Sequence, residues 1–250
     1  MTPRQRLWFF AVAAAGLVAC YLWAFSGLPG FGNYPGPYGQ EVLRMAVEQT
    51  NATGVVSAVN FEYRGFDTVG EEFILFTAAA GMTVVLRKLR EERESEPADE
   101  ADSRTIPATS SAMRVAALLM VGPTAVLGWW LASHAQTNPS GGFQGGVILA
   151  SAFILIYLSG EFLTFRRLSP DALLDAVEAV GAGGFAAIGL AAVVMNLPYL
   201  YNYLPLGTIP GAVSSSGTIA LISFFVGIEV AAAFVLVVGE LLDQTLLRSA

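Results

Sequence analysis

The sequence predicts an all-α, polytopic integral membrane protein with six transmembrane helices and both termini on the cytoplasmic side (N-in, C-in). Three observations predict it. Hydrophobic residues fill 54% of the 250 positions and charged residues only 13%, for a mean hydropathy of +0.58; a soluble domain carries about 25% charged residues. Apolar runs of about 18 residues or more, long enough to cross a bilayer as a helix, occur six times: 7–26, 68–86, 113–134, 143–165, 173–197 and 217–242. Helices and closed barrels are the only backbones that satisfy themselves in lipid. Finally, with the N-terminus inside, the cytoplasmic segments hold 11 of the 13 Lys and Arg residues, and only Arg44 and Arg64 fall outside. That asymmetry orients membrane helices. The net charge of −7 says little about partners.

Taken in order, the first span contains "LVAC" at 17–20, which has the look of a lipoprotein processing site. The apolar run continues through Tyr21, Leu22, Trp23, Ala24 and Phe25, which a cleaved signal would not need. Cys20 is the only cysteine, so no internal disulfide exists. The outer segment 27–67 opens with the Pro/Gly loop "GLPGFGNYPGPYG". In "QEVLRMAVEQT", Val42, Met45 and Ala46 have helical spacing, and this helix is expected on the membrane surface or against a partner. "GVVSAVNFEYRG" is expected to be an extended, strand-like connector. The second span begins at "FDTVGEE". After it, 12 of the 33 charged residues crowd between Arg87 and Arg104, reading as a disordered or partly helical cytoplasmic connector. The chain therefore divides into a two-helix module at 1–90, a charged linker at 91–112 and a four-helix domain at 113–250. Gly122-Pro123 should kink the third span.

The fourth span opens on "SGGFQGGVILASAFILIYLSGE". Gly142, Gly146 and Ala150 form a row of small residues on one helix face, and Gly141 and Gly145 form a second row. Two readings stand. Such rows let neighbouring backbones approach closely, which is preferred here; alternatively, a glycine-rich helix start exposes amides to an anion. Span five repeats the device at Gly181, Gly183, Gly184 and Gly189.

Acids inside the apolar runs are the candidate functional residues. A carboxylate at the bilayer centre costs roughly 2.5–3.5 kcal/mol on insertion scales. Glu229 lies 12 residues beyond the start of the sixth run, about 18 Å along it, and should face the interior, where it carries an ion or is bonded to a neighbour. Glu240 and Asp243 follow near the same face, an acidic line toward the cytoplasm in which Asp243 is read as interfacial. Asp67, Glu71 and Glu72 cluster at the outer mouth of the second span. Thr68 and Glu71 fit a capping box and Asp67 can also cap, which leaves Glu72, about 100° away, free to face a cavity. Glu161 is read as an interfacial partner of Arg166 and Arg167. His134, the sole histidine, cannot make a metal site by itself. No nucleophile elbow, phosphate loop, dinucleotide fingerprint or metal motif occurs in the sequence, so no enzyme activity, cofactor or nucleic-acid partner is expected.

At these residues the sequence resembles a known family. "GGFQGGVILASAFILIYLSGE" is similar to the signature of the MnhB subunit of Mrp-type multisubunit sodium/proton antiporters, shared with a subunit of membrane-bound hydrogenases. The resemblance covers 113–247. "VSAVNFEYRGFDTVGEEFILFTAAAGM" resembles the small E-type hydrogenase subunit, found also as the tail of the large antiporter A-type subunit. Phe66, Asp67, Thr68, Gly70 and Glu71 match that pattern, with Val69 where Leu is usual. The chain thus looks like two small subunits fused at the charged linker. One departure is "TNPSGG", where Ser140 replaces a family glycine. The resemblance implies a subunit without a redox centre, working among other small subunits and antiporter-like subunits and helping to form a Na+ or H+ route in a bacterial or archaeal cell membrane. It matches Glu71 and Glu229 to acidic family positions. A redox-driven hydrogenase-like or complex-I-like pump uses the same modules, and a scaffold whose acids only hold helices together is the third possibility.

Overall fold

A computed structural model of the chain describes residues 3–28, 30, 32, 36–86 and 110–247. The charged linker that the sequence places at 91–112 lies almost wholly outside the described residues. Residues 1–41 form one compact unit and residues 42–250 a second. In the first unit, α1 (Pro3–Ser26) is apolar on all sides from Leu7 onward, the pattern of a lipid-spanning helix.

In the second unit, α2 (Pro37–Thr50, from Val42 onward) leads through α3 (Val55–Ala58) and one π-helical turn (Val59–Tyr63) into α4 (Gly65–Leu86). Then follow α5 (Ser111–Ser133), α6 (Gly142–Leu168), α7 (Asp171–Val194) and α8 (Thr218–Leu247). Six helices are long and apolar enough to cross a membrane: α1 and α4 to α8. All regular structure among the described residues is helical.

α8 is the centre of the second unit and packs against α4, α5, α6 and α7. Ile219, Ile222, Val226, Val230, Ala233 and Leu236 are buried along it. Glycine brings the helices to this distance. A Cβ on Gly142 would collide with the Ser223 carbonyl oxygen, and one on Gly146 would lie 2.7 Å from both the Gly227 carbonyl oxygen and Val230 Cβ. Ala150, 2% exposed, continues that face into a cluster with Ala232, Val235 and Leu236. Gly145 faces the other way, against Ala132 and Gly128 of α5. Gly141 does not pair with it: it precedes the helix, extended, and the nearest neighbour to a Cβ there would be Gln144. Ser223 Oγ, donating to the Ala132 carbonyl at 2.8 Å, ties α8 to α5. Pro123 lies inside α5, which continues through it.

Three local expectations are corrected. "GVVSAVNFEYRG" is helical, not extended. A lone strand here would leave its backbone groups unpaired, whereas a helical turn satisfies its own. The turn is also pinned: Gly54 N–H donates to the Gln136 carbonyl at 2.9 Å, and Ser57 Oγ donates to the Ala135 carbonyl at 2.7 Å. The capping box does not form, because the helix starts earlier, at Gly65. The π turn closes with Arg64 N–H on the Val59 carbonyl, and Thr68 Oγ1 donates to the Asn60 carbonyl at 2.7 Å instead of accepting from an amide. Asp67 pairs with Arg64 at 2.5 Å. Finally, Val42 and Ala46 of α2 are buried in the chain's own core beside Ala52, Ala58 and Phe61, so that face of α2 is covered without membrane surface or partner.

Candidate functional site

The loops at the end where α4, α6 and α8 begin set up the site. Asn202 Oδ1 accepts from the Thr218 amide at 2.8 Å, capping α8. Its Nδ2 donates to Glu62 at 3.0 Å and to the Ser216 carbonyl at 3.0 Å. Burial pushes the Glu62 carboxyl above its ordinary range, and the Asn202 hydrogen bond only partly offsets this. These contacts fix the starts of α4 and α8 side by side.

About two to three turns into the helices lie three buried acids: Glu72 of α4 (3% exposed), Glu178 of α7 (4%) and Glu229 of α8 (0%). They are the only Asp or Glu side chains buried among the described residues. Glu229 faces both others. It is the neighbour of Glu72 on one side and feels the charge of Glu178 on the other. Gly181 makes this possible: a Cβ there would lie 2.5 Å from Glu229 Cβ, so α7 closes onto α8 at the acid. Neither carboxyl oxygen of Glu229 has a well-formed hydrogen bond, nor do Glu72 Oε2 and Glu178 Oε1. None of the three forms an ion pair among the described residues. A buried carboxylate without partner is strongly disfavoured, so this arrangement is suited to taking up protons or a cation.

Glu72 also lines a cavity of about 260 Å³ with Ser57, Thr68, Glu71, Ser140 and Gln144. Glu71 is exposed at its edge. The cavity thus connects the glycine-rich start of α6 with the first buried acid.

Of the residues singled out in the sequence, the fold brings Glu72 and Glu229 together, with Glu71 one position away. Asp67 is turned to the surface by Arg64. Glu240 is half-buried 11 residues beyond Glu229, about 16 Å along α8. The side chains of Asp243 and Glu161 lie outside the described residues. His134 stacks on Trp130 at 5.2 Å between ring centroids. Glu178 is the buried acid of this site that sequence reasoning missed. It stands five residues beyond the start of the fifth apolar run and three before Gly181, and those two facts together were the available signal.

Residues 112–236 match the family described as "Domain related to MnhB subunit of Na+/H+ antiporter". An uncharacterized protein of Methanocaldococcus jannaschii is 30% identical over 200 residues, 71% of this chain and 72% of that protein. A Na(+)/H(+) antiporter subunit of Alkalihalophilus pseudofirmus is 32% identical over 77 residues, 30% of this chain and 51% of that protein. Among solved structures, a chain of the membrane-bound sulfane sulfur reductase, an archaeal respiratory membrane complex, superposes with a TM-score of 0.72 at 26% identity, covering 94% of this chain and 97% of that one. A chain of the Mrp complex from Dietzia sp. DQ12-45-1b shares the fold, with a TM-score of 0.69 at 24% identity over 96% of this chain and 26% of that one. The chain belongs to the family of domains related to the MnhB subunit of Na+/H+ antiporters.

Proposed function

We propose that the chain is a non-enzymatic, multi-pass subunit of a multisubunit cation/proton antiporter complex, held in a bacterial or archaeal cell membrane and helping to form the ion route. The observation that supports this most directly is the buried meeting of Glu72, which lines the cavity, with Glu229 behind it, neither of them in an ion pair among the described residues. A structural carboxyl would have acquired a hydrogen-bonding partner; these have only each other and Glu178. Na+ and H+ are the transported ions in this reading, and the glycine faces of α6 serve packing.

The orientation in this proposal is N-in and C-in. It puts the cavity outside and the far ends of α4, α6 and α8 inside. Residues 1–90 act as an E-type or antiporter-A-tail-like module in front of the four-helix domain. The superposition of nearly the whole chain on one quarter of an Mrp chain favours this fusion.

A second reading, a membrane-arm subunit of a redox-driven complex, is favoured by one observation. The match to the sulfane sulfur reductase chain spans 97% of that chain, end to end. Purification of the intact complex with identification of its subunits separates the two. Antiporter-like subunits alone support the first; iron–sulfur subunits in stoichiometric amount support the second.

A further inference from the structure

Glu229 needs an exchange partner on the inner side. The sequence points down α8 to Glu240, but the fold offers a nearer one on α7. Glu178 is buried and its Oε1 unpartnered, and Gly181, one turn later, is where α7 touches α8 at Glu229. Residues three apart are neighbours on a helix, so Glu178 adjoins both Asp175 and Gly181 on α7. Asp175 is exposed and is the charged neighbour of Glu178. α7 begins at the opposite end of the unit from α4 and α8, so the acids early in α4 and early in α7 approach Glu229 from opposite ends.

We propose that Glu178 and Asp175 form the inner leg of a proton relay running from the cavity through Glu72, Glu229, Glu178 and Asp175, with Glu240 off the path. This rests on the reading of Glu229 as an ion-carrying group. In each step a carboxylic acid gives its proton to the next carboxylate, directly or through one water. The donor becomes a carboxylate and the acceptor an acid, so charge is conserved. The relay carries protons. Among the described residues no three acidic, His or Cys side chains converge on a point that could hold a metal, whereas a dehydrated hard cation takes about six oxygen ligands. The acids form a file, not a cage. The titratable groups facing Glu178 are Asp175 on its own helix and Glu229 on α8, with Glu72 of α4 behind Glu229.

The test measures ion exchange and its pH profile with the intact complex in inverted vesicles, with assembly checked on native gels. Glu178→Gln should lower exchange by about tenfold or more, a modest share of what a positioned proton-transfer group contributes. Asp175→Asn should displace the pH profile, and Glu240→Gln should leave the rate near that of the wild type. If Glu178→Gln exchanges normally while Glu229→Gln is inactive, the inner leg is overturned and the ion-route reading stands. If both exchange normally, that reading falls and the inference with it. Should Glu178→Gln fail to assemble, Glu178→Asp keeps the carboxyl. The relay then requires slower exchange with a shifted pH profile, and an unchanged rate and profile overturns it.

Discussion

Gly181 stands directly against Glu229: a Cβ on the glycine would lie 2.5 Å from the Cβ of the acid and 2.9 Å from its backbone nitrogen. Two helices therefore touch at the point where a buried carboxyl leaves the backbone, and no side chain fits between them. Gly181→Val should part α7 from α8 and destabilise the chain by about 1–3 kcal/mol or more, as overpacking does. Gly183, two residues on, has open space at its Cβ position. There Gly183→Ala should stabilise by about 0.5–1 kcal/mol through helix propensity alone. Thermal unfolding in detergent checks both, and equal effects at the two positions would contradict the packing argument.

The same logic applies between α6 and α8. A Cβ on Gly146 would lie 2.7 Å from backbone on one side and from Val230 on the other, so neither neighbour can yield cheaply. Gly146→Leu should cost at least about 2 kcal/mol and abolish the large complex on native gels. Normal assembly with altered transport would instead mean that the glycines line a route.

How far the sequence reveals this architecture depends on the range of the interaction. The six spans are legible because each is a local property, the length of an apolar run, and their bounds shift by only a few residues in the fold. The Gly142–Gly146–Ala150 face is legible for the same reason: helical spacing alone aligns it. The site is only half legible. Glu229 announces itself by depth. Its partners do not, since Glu72 and Glu178 sit on other helices and meet it only through tertiary packing. The line from Glu229 to Glu240 follows one helix face correctly, yet acids on one face three turns apart remain about 16 Å apart. The Val-rich stretch before α4 reads as a strand because β-branched residues favour one; carbonyls of Ala135, Gln136 and Ser140, far away in sequence, decide otherwise.

Topology has its own test. On a Cys20→Ala background, single cysteines placed in loops should react with an impermeant reagent only at the outer face. Position 95, in the charged linker, should stay unlabelled in intact cells while a loop position such as 209 labels. Labelling at 95 would overturn the inward placement that the 11-to-2 distribution of basic residues predicts.

Glu62 predicts a pH dependence. Its carboxyl is raised by burial, with Asn202 partly opposing, so the folded state holds its proton to higher pH than the unfolded chain does. Between the ordinary carboxylate value and the raised one, the native state binds more protons, and stability falls as pH rises. Below the ordinary value both states are protonated and the effect vanishes; above the raised one it is complete and constant. Glu62→Gln should remove this slope and be the more stable protein at neutral pH, since Gln still accepts from Asn202 without a charge. Unfolding temperatures of both proteins across pH check it. A wild type whose stability rises through that window would reverse the sign of the argument.

Glu229 is the deepest commitment. Its carboxyl is fully buried and neither oxygen has a well-formed hydrogen bond, a condition that costs a few kcal/mol at membrane depth and is relieved by a proton, a cation or a partner. Glu229→Gln preserves size and removes the titrating group. The complex should assemble, because no well-formed hydrogen bond or ion pair to the carboxylate is lost, while ion exchange in inverted vesicles should fall by about a hundredfold or more. Glu229→Asp retains the carboxyl but withdraws it by one methylene from Glu72 and Glu178, so it should keep partial exchange with a displaced pH profile. Glu72→Gln should resemble Glu229→Gln, since it empties the step between the cavity and α8. Glu71→Gln should be milder, because Glu71 is exposed at the cavity edge and water can take its place. Loss of assembly in Glu229→Gln would mark the acid as structural, and normal exchange in an assembled Glu229→Gln complex would remove it from the route altogether.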